Sequence, residues 1–163
     1  MKKLVSLVIA IVFLTFTMIP TIYAENNLVT ISNNYEISSY TEYYEDGSYA
    51  VTTIKQSVTP RATSYVKVGE RIVDLYNSSD ELQWTYKLIG TFNVVEGVSV
   101  VCTESTYSSV IYNNSWSLTD HNNSYSNNIA YGTATYKKKV LFITTNTHDI
   151  DLSIGCDLYG NVG

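Results

Sequence analysis

The sequence predicts an all-β protein: an antiparallel β-sandwich, immunoglobulin-like in architecture, with an N-terminal β-hairpin extension. Three observations lead there. Apolar and polar residues alternate with a period of two along most of the chain, the signature of half-buried strands. Tyr, Thr, Val, Ile and Ser dominate, with 15 tyrosines in 163 residues, and all of these suit a pleated surface. Turn residues recur between the alternating runs at the regular spacing typical of sandwiches and barrels. Long Leu/Ala-rich helical stretches are absent, and there is no internal repeat.

The chain begins with a sorting signal. Met1-Lys2-Lys3 is a positive start, Leu4 to Phe16 is apolar apart from Ser6 and Thr15, and Ala24 supplies a small residue before the polar Glu25-Asn26-Asn27, the pattern of a cleaved secretory leader. The apolar run is short for a membrane span, which needs about 20 residues. Residues 1–24 are therefore read as a signal peptide, with no lipid-anchoring cysteine after it and no sorting motif at the C-terminus. The expected product is a secreted, extracellular protein with no stable membrane insertion after cleavage. Richness in Asn, Ile, Tyr and Lys suggests a low-GC Gram-positive source.

Removing residues 1–24 takes away Lys2 and Lys3 and no acidic residue, so the length falls from 163 to 139 and the net charge from −5 to −7. That length suits one domain with a real core. The acidic balance argues against nucleic acid, whose phosphates need clustered Lys and Arg, and against anionic lipid. The one basic run, Lys137-Lys138-Lys139, reads as a solvated strand end or an edge guard.

After a polar segment with a short strand at Leu28–Ile31, residues 35–58 read as a Tyr-rich hairpin. One strand spans Tyr35–Tyr44, the turn is Glu45-Asp46-Gly47-Ser48, and the return is Tyr49–Val58; Asp-Gly between alternating runs is a strong hairpin signal. "TPRAT" (Thr59–Thr63) breaks the chain, because proline cannot donate to a ladder. The expected organisation is a leader (1–24), a polar N-terminal segment with the hairpin (25–62) and a sandwich domain (63–163).

In that domain Ser64–Tyr76 alternates and "NSSDE" turns. The row "LQWTYKLIGTFNV" then places Leu82, Trp84, Tyr86, Leu88, Phe92 and Val94 on one face. It is read as the central core strand, with Gly90 a bulge or a site of close approach. Val98–Glu104 follows, with Val98, Val100 and Cys102 on one face, then short pieces at Val110–Tyr112 and Trp116–Leu118. Thr119–Asn128 reads as a polar loop. Ile129–Lys139 is a strand with a small-residue face, Ala130, Gly132 and Ala134. The last strand aligns Ile150, Leu152, Ile154, Cys156 and Leu158.

Cys102 and Cys156 each end an apolar strand face in a chain read as exported. They are expected to form a structural disulfide across the core beside a tryptophan; two separate buried thiols are the alternative. With no CxxC, a redox pair or metal site has no support.

Signs of catalysis are few. Of the histidines, His121 lies in "DHNN" and His148 in "THDID", and no ordered motif accompanies either; both read as surface residues. The acids Glu36, Glu42, Glu45 and Asp46 cluster in the hairpin, and Asp149, Asp151 and Asp157 near the end. They read as solvated faces rather than a carboxylate pair or a cation loop. No catalytic residue, metal or cofactor is expected. The candidate binding residues are exposed aromatics of the hairpin, Tyr40, Tyr43, Tyr44 and Tyr49, suited to sugar or protein contact. Cross-strand pairing is the structural alternative.

From Tyr76 on, "YNSSDELQWTYKLIGTFNV", Cys102-Thr103, "YNNSW" ending at Trp116, A-x-G-x-A around Gly132 and the closing L-x-x-x-C-D-x-x-G-N of Leu152–Asn161 resemble an uncharacterised family of small secreted proteins from Gram-positive, clostridia-like bacteria. The resemblance spans about Thr63 to Gly163. It implies a shared fold and export, and it brings no catalytic residue. The expected function is an extracellular binding or interaction module without catalytic activity, its partner a protein or glycan at the cell surface. A bacteriocin-like or toxin-like effector is the alternative, and a small hydrolase comes last.

Overall fold

A computed structural model describes residues 34–57 and 63–163. The leader over residues 1–24, the Leu28–Ile31 strand and Pro60 lie outside the described residues. Eight strands follow one another: β1 (Asn34–Tyr43), β2 (Tyr49–Ser57), β3 (Ser64–Tyr76), β4 (Leu82–Val95), β5 (Ser99–Ile111), β6 (Trp116–Ser126), β7 (Ile129–Val140) and β8 (Ile143–Gly155). They form two antiparallel sheets, β1-β2-β3-β4-β5 and β6-β7-β8, packed as a β-sandwich. Each sheet is a plain meander. Immunoglobulin domains connect their strands as Greek keys, so the likeness stops at two facing antiparallel sheets.

The alternation in the sequence becomes the core. Trp84, Tyr86, Leu88, Phe92 and Val94 of β4 are all fully buried. Leu82 is not part of that row. The β3–β4 register shifts between Leu75 and Tyr76, which turns Gln83 inward. Its amide donates to the Glu81 carbonyl and accepts from Asn113 Nδ2.

Across the sandwich, β7 presents Ala130, Gly132 and Ala134, all inside. A Cβ on Gly132 would lie 2.8 Å from both Leu88 Cδ1 and the Tyr86 hydroxyl. Small residues on one sheet therefore receive large ones from the other, the interdigitation that native packing density requires. Further along β7, Tyr136 stacks on Trp84 with ring centroids 4.0 Å apart and planes 3° from parallel. Gly90 is a site of close approach, since its Cβ would fall 2.7 Å from Phe92 Cζ. The neighbouring bulge is on β5, where Thr103 is the extra residue.

The N-terminal hairpin forms the outer two strands of the larger sheet. β2 pairs with β3 from Tyr49↔Tyr76 to Gln56↔Gly69, and its Ala50 and Ile54 join the core.

Three strand assignments differ from expectation. β5 runs unbroken through Ser105–Ser109, and Val98 belongs to the turn before it. Thr119–Asn128, read as a loop, is mostly β6. This strand lies at a sheet edge with little covering it, so ladder bonds to β7 hold it without an apolar face. Leu158 lies past the end of β8 and is exposed.

Cys102 and Cys156 do not form a disulfide. Both are buried, and each thiol turns to a nearby carbonyl, Cys102 to Glu104 at 3.3 Å and Cys156 to Asp157 at 3.6 Å. Their backbones are anchored side by side at the β6–β7 turn: the Cys102 amide donates to the Asn127 carbonyl and the Cys156 amide to the Asn128 carbonyl. Burial pushes the Cys156 thiol up to about 11 and raises Cys102 as well. Both act as small apolar side chains.

The β7–β8 turn is unusual. Val140 pairs with Ile143, and the two residues between them, Leu141 and Phe142, have φ of 47° and 69°. A two-residue hairpin turn of this kind favours Asn-Gly; bulky residues in the left-handed region cost about 1–3 kcal/mol each.

Two outcomes are expected. Trp84→Ala should destabilise the protein by about 3–5 kcal/mol and Gly132→Ala by about 1–3 kcal/mol, read from urea midpoints. A thiol reagent should label neither cysteine in the native protein and both after denaturation.

Candidate functional site

The loops at one end of the sandwich are the β1–β2 turn (44–48), the β3–β4 turn (77–81), the β5–β6 link (112–115) and the β7–β8 turn. Between the end of β1 with its turn and residues 145–149 of β8 lies a cleft of about 570 Å³, lined by Glu42, Tyr44, Glu45, Asp46, Thr145, Asn146, Thr147, His148 and Asp149. Four of its nine lining residues are carboxylates and none is a lysine or arginine.

Local chemistry builds one wall. In the β1–β2 turn the Gly47 amide donates to the Tyr44 carbonyl, and Gly47 takes φ 79°, a conformation glycine adopts at no steric cost. The Ser48 amide and hydroxyl both donate to Asp46 Oδ1, at 3.0 and 2.5 Å. These bonds hold the Asp46 carboxyl below its ordinary value. Its other oxygen accepts from Asn146 Nδ2 at 3.2 Å, which ties the turn to β8.

His148 closes the bottom. It is 9 % exposed and packs among aromatic rings: Tyr44 edge-on at 4.7 Å, Trp116 at 5.4 Å and Trp84 at 6.2 Å. Its side chain makes no hydrogen bond with any described residue. Burial lowers its pKa against the pull of Asp46, Asp149 and Glu42. The imidazole is therefore neutral near pH 7, a donor and an acceptor facing the carboxyl groups of the cleft. Lys138 lies over the Trp116 ring at 5.9 Å and adds a small pull that lowers the Asp46 pKa.

The predicted binding tyrosines separate. Tyr44 lines the cleft, and burial raises its pKa. Tyr43 and Tyr49 point to the outer face of the larger sheet, where Tyr43 lies 5.6 Å from Tyr49 and Tyr49 stacks on Tyr76 at 5.0 Å. The Tyr49 hydroxyl donates to Asp80. That ladder is cross-strand pairing, which stabilises the sheet. Tyr40 pairs with Thr52 across the β1–β2 ladder and stays exposed.

His148 is not the surface residue expected. Its parity along β8 marks the difference: it continues the inward row of Ile154, Leu152 and Ile150. His121 does lie at the surface, against the Tyr107 ring at 4.4 Å. Asp149 lines the cleft, whereas Asp157 braces the C-terminal turn through Asn161 and the Tyr159 amide. Among the described residues no group of three or more His, Cys, Asp and Glu is placed to hold a metal ion. No protein-family model, curated protein or solved structure matches the chain.

The buried imidazole sets a pH window. The unfolded chain takes up the His148 proton at the ordinary value of 6.5, before the native state does. Stability is therefore full above that value and declines as the pH falls below it. Asp46 and Asp157, held under 3.8, keep their contributions until far lower pH. The melting temperature should drop between about pH 7.5 and 5.5, and His148→Gln should flatten that drop; equal slopes in the two proteins would contradict the assignment.

Proposed function

We propose that the protein is an exported, non-catalytic binding module whose acidic cleft receives a cationic group presented by a protein or glycan at the cell surface. One observation carries this reading: a nine-tenths buried, unpartnered imidazole opens into a cleft walled by four carboxylates and no cation. An ammonium group there would lie in the combined field of the lining carboxylates Glu42, Glu45, Asp46 and Asp149, with the neutral His148 as acceptor and the Tyr44 ring beside it. Coulombic attraction and ring contact favour the same ligand charge.

Binding is favoured over acyl transfer because a nucleophile–base–acid relay works through hydrogen bonds, and His148 makes none. Export rests on the leader pattern. The resemblance to small secreted proteins of Gram-positive bacteria agrees with it.

Beads bearing chitosan, whose sugars carry free amines, should retain the protein, and beads of the N-acetylated polymer should not. Glu42→Gln and Glu45→Gln remove charge without removing a hydrogen bond. Each should weaken retention about fivefold, corresponding to ~1 kcal/mol. Equal retention on both polymers would overturn the proposal.

A further inference from the structure

The β7–β8 hairpin ends in a tip that the fold itself leaves unused. Val140, Leu141, Phe142 and Ile143 are consecutive and all exposed, Leu141 at 86 % and Phe142 at 99 %. A soluble domain gains nothing from four bare apolar residues at a hairpin end. The turn is also built against local preference, since Leu141 and Phe142 both hold positive φ where Asn-Gly would be relaxed. An exposed, contiguous and conformationally costly apolar tip calls for a partner that buries it.

Charge identifies that partner. Lys137, Lys138 and Lys139 immediately precede the tip, and the chain has no acidic residue between Asp120 and Asp149. The other side of the hairpin is the uncharged polar run Thr144-Thr145-Asn146-Thr147. From the tip inward the layers are therefore apolar side chains, then lysines among hydroxyls and amides. The apolar layer is two residue pairs deep, about 7 Å at strand rise, and the interfacial zone of a bilayer admits apolar groups to about 5–10 Å. Lysine stems cover apolar surface while their ammonium groups reach the headgroups.

We propose that the β7–β8 tip docks the protein on a lipid bilayer carrying anionic headgroups, with Leu141 and Phe142 inserted and the lysines at the headgroup level. The strong net negative charge of the whole chain argued against anionic lipid. Three basic residues precede the tip, Lys139 exposed and Lys137 and Lys138 half-buried, and the attraction acts only within about 8–10 Å. The tip and the cleft adjoin at one end of the sandwich, where Asp46 bonds Asn146, the ladder partner of Lys138; Lys139, exposed beside the tip, is the lysine that meets the headgroups free of that carboxylate.

The test is co-sedimentation of the purified protein with vesicles of pure phosphatidylcholine and of phosphatidylcholine mixed with phosphatidylglycerol. The double variant Leu141→Asn/Phe142→Gly installs the relaxed turn sequence. It should keep or raise the melting temperature and lose at least tenfold in vesicle partitioning, so loss of binding cannot be blamed on misfolding. Lys139→Gln should weaken binding to the anionic vesicles about fivefold, the effect of one surface lysine. Equal partitioning of the wild-type and double-variant proteins would overturn the proposal. So would a tip-dependent dimer in sedimentation analysis without vesicle binding, or equal affinity for the two vesicle types.

Discussion

The two sheets meet where Gly132 of β7 faces Tyr86 and Leu88 of β4, and most of the molecule depends on that approach. A side chain at 132 would collide with both neighbours. With only hydrogen there, the large residues of β4 enter the smaller sheet, Ala130 and Ala134 leave room on either side, and Trp84 reaches the Tyr136 ring. Other bonds join the sheets at the margins: Arg71 Nη1 donates to the Ser153 carbonyl at 2.7 Å, and the Val162 amide donates to Gln56 Oε1 at 3.2 Å. Val162 itself packs on Gly69, a second position where a Cβ would collide. A bare backbone thus marks close approach on each sheet.

The core was legible in the sequence because burial follows parity. Trp84, Tyr86, Leu88, Phe92 and Val94 obey the two-residue rule, as do Ala130, Gly132 and Ala134, and the structure keeps both sets. Errors arose where composition stood in for parity. Thr119–Asn128 is polar throughout, yet an edge strand with little cover needs only backbone bonds. The apolar "VLFI" carried no assignment, and it forms the end of a hairpin, because a turn is decided by backbone geometry and not by hydropathy. Leu82 and Gln83 exchanged roles through one bulge, which no alternation pattern announces.

The cleft was only half legible. Its acids were visible as two clusters, Glu42–Asp46 and Asp149–Asp157, and their meeting depends on two turns at the same end of different sheets. Asp157 went elsewhere. His148 was misjudged by its polar neighbours, although its parity with Ile150, Leu152 and Ile154 pointed inward. The same end holds several polar atoms that the fold leaves unpaired: the indole N–H groups of Trp84 and Trp116 have no partner among the described residues. Leaving a buried donor unmet costs about 1–3 kcal/mol. A fold that accepts this cost beside an acidic cleft has a core that trades some stability for the arrangement of that end.

The plain meander order has a consequence for how the chain acquires its structure. Every hydrogen-bonded strand pair joins neighbours in sequence, so each ladder closes over a short loop, a feature associated with quick formation. The larger sheet is complete by Ile111, and the residues that cover its inner face come only with β6 to β8. During synthesis from the N-terminus, Trp84, Tyr86 and Phe92 therefore wait as an open apolar surface until the last third of the chain arrives. Aggregation pressure on the newborn protein falls in that interval, and it ends when the three-stranded sheet lays Gly132 against them.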